Sequence, residues 1–160
     1  MSGPTAIAVD ATGTLYVTDF FRHMVYKVTQ GAEVTVTALA GQAGVQGISN
    51  SAEGDALIDA TFDYPNGIAV DKVGNVYVAQ QGNGSSNAAV RQITPAGAVR
   101  TLAGGSTYGY QTGLGGDTTF SYLGGMAMTS SGALLVVDRV AGRLSKVESV
   151  KRATKTVAIP

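Results

Sequence analysis

Few side chains in this 160-residue sequence are equipped for chemistry, and their spacing narrows the options. His23 is the only imidazole and cysteine is absent. No G-x-S-x-G elbow accompanies that histidine, so a nucleophilic triad has no support. Four carboxylates recur at matched places: Asp10 and Asp71 each close an Ile-Ala-Val run, and Asp19 and Asp138 each close a second apolar run. Carboxylates gathered at a pocket mouth can hold Ca²⁺ or act as acid and base. At a strand end, however, an Asp accepts the N–H groups of the next turn. A catalytic group is needed once, so recurrence at equivalent positions favours the turn role. Asp55-Ala56-Leu57-Ile58-Asp59 lacks the alternating oxygens and distal Glu of an EF-hand loop. Gly113-Leu114-Gly115-Gly116 is followed by neither a helix nor a Lys-Ser/Thr pair, and reads as a flexible loop rather than a phosphate cradle. The residues therefore predict no catalytic group, no metal site, no cofactor and no enzyme activity.

What remains is suited to recognition. Phe20, Phe21, Arg22 and His23 form one cluster, and Gln81 and Asn83 stand in a Gly/Ser/Asn-rich stretch. Tyr108, Tyr110, Tyr122 and Arg139 complete the set. Aromatic and arginine side chains anchor interfaces, and Tyr beside Asn and Gln suits peptides or sugars.

The elements that must position these residues come from a repeat. Ile7-Ala8-Val9-Asp10 recurs as Ile68-Ala69-Val70-Asp71 and as Met126-Ala127-Met128-Thr129. A second phrase follows each copy: Gly13-Thr14-Leu15-Tyr16-Val17, Gly74-Asn75-Val76-Tyr77-Val78 and Gly132-Ala133-Leu134-Leu135-Val136. Within each copy apolar residues alternate or form short runs bounded by Gly, Asn and Asp, which indicates strands. Four strands, a to d, are expected per copy: 6–10, 14–18, 23–29 and 33–40; then 67–71, 75–79, 88–94 and 98–103; then 125–129, 133–137, 143–148 and 154–159. Almost no helix is expected beyond one short turn near Asp55 to Thr61. Four short antiparallel strands per long repeat suggest a β-propeller blade.

The motifs make the resemblance specific. Pro65-Asn66-Gly67-Ile68-Ala69-Val70-Asp71 with Gly74-Asn75-Val76-Tyr77-Val78-Ala79 resembles the NHL repeat of β-propeller proteins. So do Leu15-Tyr16-Val17-Thr18-Asp19 and Val25-Tyr26-Lys27-Val28. The linkers are similar too, from Leu39-Ala40-Gly41 through Gly54-Asp55-Ala56 to Phe62 and Pro65, and from Leu102-Ala103-Gly104 through Gly116-Asp117 to Phe120. The sequence departs from the family at Gln80, which stands where Asp19 and Asp138 stand in the other copies. It departs again in the insertion Gly82 to Asn87, at Met24 opposite Arg143, and at Thr129. The resemblance implies an all-β chain, a single unit over 1–160, with three four-stranded antiparallel blades at about 3–40, 65–104 and 124–160. Related amidating lyases use several histidines on a central zinc and related lactonases place Glu, Asn and Asp around a metal. One histidine cannot reproduce the first, and the second set does not map onto this chain. A metal-dependent propeller lyase or lactonase is therefore the alternative to a non-catalytic binding or scaffolding module.

Propellers close with about four to eight blades. Three blades leave two apolar faces bare, and faces of that size do not stay in water. Two copies making a six-bladed ring is the favoured outcome, with a fragment of a longer chain as the other. The b–c turns and the long d–a loops, 41–65 and 104–124, are expected to share one rim and to carry function. Phe62, Tyr64, Phe120 and Tyr122 are expected to pack those loops onto the blades. Arg139, Arg143, Lys146, Lys151, Arg152 and Lys155 crowd the third repeat, and Glu53, Asp55, Asp59 and Asp63 the first loop; both read as solvated patches. Eleven basic residues balance eleven acidic ones, which argues against nucleic acid as a partner. No apolar stretch is long enough to span a membrane as a helix. The composition leans toward a bacterial secreted or surface protein.

Overall fold

The computed structural model describes the backbone of residues 1–150 and 153–159, and the side chains of all of these except 149–155. Twelve strands run in three meanders. β1 (Pro4–Val9), β2 (Leu15–Asp19), β3 (Met24–Thr29) and β4 (Thr35–Ala40) form the first sheet in that order. β5 (Pro65–Val70), β6 (Val76–Gln80), β7 (Ala89–Ile93) and β8 (Val99–Gly104) form the second. β9 (Leu123–Met128), β10 (Leu134–Asp138), β11 (Arg143–Val150) and β12 (Ala153–Ile159) form the third. Every pairing is antiparallel. The repeats are thus three four-stranded blades, with strand ends within about two residues of the expected ones. Among the described residues no helix is long and apolar enough to cross a membrane. Gly115–Asp117 forms a short 3-10 turn within the second long loop.

The middle blade shows why the period is two. Along β5 and β6, Ile68, Val70, Val76 and Val78 face the first blade. Their neighbours Ala69, Tyr77 and Ala79 face the third. Alternate side chains of one strand point to opposite sheet faces, so a single blade serves two cores. Adjacent blades touch through their leading strands: β1 lies against β5, β5 against β9, and β2 and β6 support these contacts. Toward β4, β8 and β12 the sheets diverge, as twisted sheets joined along one edge must.

The diverging gaps are filled by the long loops. Ala56, Ala60 and Phe62 of the first loop are buried with Val25 and Ala40 on one side and Ile93 and Val99 on the other. Phe120 of the second is buried among Val90, Ala103 and Val147. Each loop thus carries a packed wedge beside the residues it leaves exposed. Phe62 and Phe120 pack as expected.

The first wedge is locked by a residue the sequence reading passed over. Arg91 on β7 is fully buried. Its guanidinium donates to the Thr61 carbonyl (2.8 Å), Gln80 Oε1 (2.9 Å), the Ser49 carbonyl (2.6 Å) and Asn50 Oδ1 (3.1 Å). It also lies 5.1 Å from the centre of the Phe62 ring. Burial pushes its pKa down to about 10, so it stays charged at neutral pH. Four oxygens replace the water that this charge gave up. Gln80, the departure from the repeat's Asp, supplies one of them. Replacing Arg91 with Met should therefore strip four acceptors at once. Denaturant unfolding should show a loss of about 3 kcal/mol, with the wedge at 46–62 becoming more open to proteolysis.

Candidate functional site

The recurring carboxylates are turn-builders. Asp10 accepts from the Thr12 N–H and hydroxyl (2.9 and 2.7 Å), the Thr14 N–H (3.0 Å) and the Tyr16 hydroxyl (3.2 Å). Asp71 does the same with Val73, Asn75 and Tyr77. The Thr12 hydroxyl foremost holds the Asp10 carboxyl below its usual range, against the opposing effect of burial. In the third copy the Thr129 hydroxyl takes over, accepting from the Ala133 N–H at 2.9 Å.

At the opposite end of the blades, Asp19 and Asp138 tie the b–c turn to the segment that enters strand a. Asp138 accepts from the N–H groups of Ser121 (2.7 Å), Tyr122 (3.1 Å) and Ala141 (3.0 Å). Asp19 accepts from Ser2, Gly3 and Arg22. The second blade has Gln80 here, already engaged by Arg91. Its entering segment is anchored from the neighbouring blade instead: the Tyr64 N–H donates to His23 Nδ1 at 3.2 Å. Both residues adopt left-handed backbone, with φ of 58° and 50°. Conformations of that kind cost about 1–3 kcal/mol each and persist where surroundings over-determine them. Here the surroundings are the Tyr64 ring, 4.8 Å from His23 and 4.6 Å from Phe20, and that hydrogen bond.

The rim therefore sorts the predicted residues into two groups. His23 and Gln81 are buried, with 5% of their surface exposed, and Phe20 is half-buried under Tyr64. Gln81 Oε1 accepts weakly from Asn66 Nδ2 (3.4 Å), which also reaches the Leu123 carbonyl of the third blade. These side chains build the rim from within. Phe21, Arg22, Asn83, Tyr108 and Arg139 are exposed. The Phe21 ring meets Phe20 edge-on at 5.3 Å. Asn83 Oδ1 accepts from the N–H groups of Ser85 and Ser86 at 3.1 Å, so the inserted loop is self-supporting. The Arg139 guanidinium lies 5.5 Å from the Tyr122 ring. Tyr122 and Tyr64 are half-buried, serving loop packing and rim together. Tyr110 is half-buried beneath Arg143, 4.3 Å away.

The charge patches read from sequence change on folding. Asp63 is fully buried, with Asn87 Nδ2 donating to it at 2.9 Å, so it leaves the acidic patch. Lys146 pairs with Glu148. Lys151, Arg152 and the Lys155 side chain lie outside the described residues. Among the described residues no other ion pair forms, and no three of His, Cys, Asp and Glu come together as a metal would need.

Residues 61–87 match a family model described as a beta-propeller repeat. No curated protein matches the chain by sequence. An auxiliary nutrient binding protein from Bacteroides thetaiotaomicron VPI-5482 superposes with a TM-score of 0.69 at 18% identity, over 95% of this chain and 36% of that one. One from Bacteroides ovatus ATCC 8483 gives 0.68 at 18% identity, over 96% and 37%. The chain has a β-propeller fold. It spans about a third of the length of these solved relatives, and the propeller part it represents comprises three blades.

His23 gives this propeller's rim a pH dependence. Burial lowers its pKa below the ordinary 6.5, against the opposing charges of Asp63 and Asp19. The unfolded chain takes up that proton more readily, so stability is full above the ordinary value and falls as pH drops through and below it. An Asn tolerates the left-handed backbone and removes the titration. Between pH 7 and about 5.5, the fall in Tm of the parent protein should shrink in His23→Asn.

Proposed function

We propose that the chain is a non-catalytic recognition module of the NHL type, a half-propeller that assembles with a second copy into a six-bladed ring. The observation that carries the recognition role is the division of groups at the rim. The carboxylates Asp19 and Asp138 are engaged by backbone N–H groups, whereas Phe21, Arg22 and Arg139 face outward without an ion-pair partner among the described residues. Those carboxylates are spent on holding turns, while exposed aromatic and guanidinium groups are the usual anchors for a protein, peptide or carbohydrate ligand. Auxiliary nutrient binding proteins of like fold are in keeping with such a role.

Assembly is supported by the two open faces. Ile7 and Val9 on β1 are 62% and 60% exposed, though Ile68, the counterpart of Ile7 on β5, is 5% exposed. Three blades of six span half a turn, so one two-fold rotation closes the ring. Light scattering should give a solution mass twice the chain's 16.2 kDa. A folded monomer at every concentration would overturn the ring.

The recognition role is tested by screening peptide and glycan arrays with the parent protein and with Phe21→Ala/Arg139→Ala. The parent should retain a ligand that the double variant binds at least about tenfold more weakly, as interface anchors require. Equal binding by both proteins would show that the rim is not the site. Turnover of a lactone or lyase substrate that depends on a stoichiometric metal would replace this reading with an enzyme.

A further inference from the structure

The internal junctions of the chain specify how its open faces close. Strand registers make four sets of residues equivalent: Pro4, Pro65 and Leu123; Thr5, Asn66 and Gly124; Ala6, Gly67 and Gly125; and Ile7, Ile68 and Met126. All three leading strands carry a bulge at this point. At the junction of the second and third blades, Gly67 is obligatory. A Cβ there would collide with the Gly124 carbonyl oxygen and come within 3.1 Å of the Met126 nitrogen. The backbones of β5 and β9 touch at that spot, and only a residue without a side chain lets them.

Gly125 holds the same position on β9 and is exposed, with nothing within 4 Å of where its Cβ would be. Its φ is not positive, so no turn requires glycine. In a strand interior glycine is destabilising relative to alanine. Its ordinary uses there are a bulge, a bend or the close approach of another backbone. The bulge alone does not require it, because the first blade carries the same bulge with Ala6. The residues beside it repeat the pattern. Ala127 is exposed, whereas its counterpart Ala69 is buried against the third blade. On β1, Ile7 and Val9 project from the other open face, where their counterparts Ile68 and Val70 pack on the first blade.

We infer that Gly125 is the seam of self-assembly: β1 of a second copy seats on β9, its Thr5–Ile7 backbone against Gly125 as Gly124–Met126 lies against Gly67, and its Ile7 and Val9 cover Ala127. The inference rests on the ring proposed above and adds the surface, the register and the residue that permits contact. The half-propeller has free space at position 125, so a side chain there leaves the fold intact and obstructs only the seam.

The experiment compares the parent protein with Gly125→Leu and Ala127→Arg by sedimentation over a dilution series, with circular dichroism and thermal melts of each. The expected result is a parent dimer and two folded variants whose dimer dissociation constant rises at least about a hundredfold, a loss typical of obstructing a packed interface centre. A parent that dimerises beside a folded Gly125→Leu that dimerises equally well overturns the seam and leaves the ring standing. A parent that stays monomeric overturns the ring itself, and the seam with it. If one variant fails to fold, the other carries the same comparison.

Discussion

The contact on which this structure depends is the approach of one leading strand to the next. At Gly67 two backbones meet with no side chain between them, and Asn66 bridges from one blade to the Leu123 carbonyl of the other. At the first junction the bridge is a hydroxyl, with Thr5 donating to the Pro65 carbonyl at 3.2 Å. These inner contacts hold the blades close along one edge. Twist then forces the sheets apart toward the other edge. Every other feature of the architecture answers that divergence.

The wedge loops answer it most directly. A gap between diverging sheets exposes apolar surface unless something fills it, and close packing tolerates little void. Ala56, Ala60 and Phe62 fill one gap and Phe120 the other. A loop buried in this way brings backbone carbonyls inside, and these need partners. Arg91 satisfies two of them, Ser49 and Thr61, from the centre of a strand. Its charge is retained because oxygens surround it. The loops that seemed freest in sequence are in this way part of the core.

The rim follows from the same economy of polar groups. Each segment entering a leading strand must anchor its N–H groups at the end of the sheet. Asp19 and Asp138 do so within their own blades, and His23 does so across a junction because Gln80 is committed to Arg91. Polar side chains that look like a site on paper are thereby turned inward. Those left over, Phe21, Arg22 and Arg139, stay exposed.

Strand identity, blade count and the turn role of Asp10 and Asp71 were legible because they are local. Period-two alternation and a carboxylate followed by its turn need only neighbouring residues to be read. The three leading phrases also exposed the bare faces, since blade number is a property of the repeat. Arg91 was illegible because three of its four partners stand 30 to 42 residues away along the chain, on a loop with no regular pattern. His23 reads from sequence as a rim candidate because its acceptor role is created by Tyr64, 41 positions distant. Asp63 looked solvated for the same reason, since Asn87 donates to it from 24 positions away. Sequence by itself determined where the strands lie and how many blades they make, because alternation and turn residues act over short distances. Tertiary structure alone decided which polar groups face water, because burial is set by whichever distant segment packs on top.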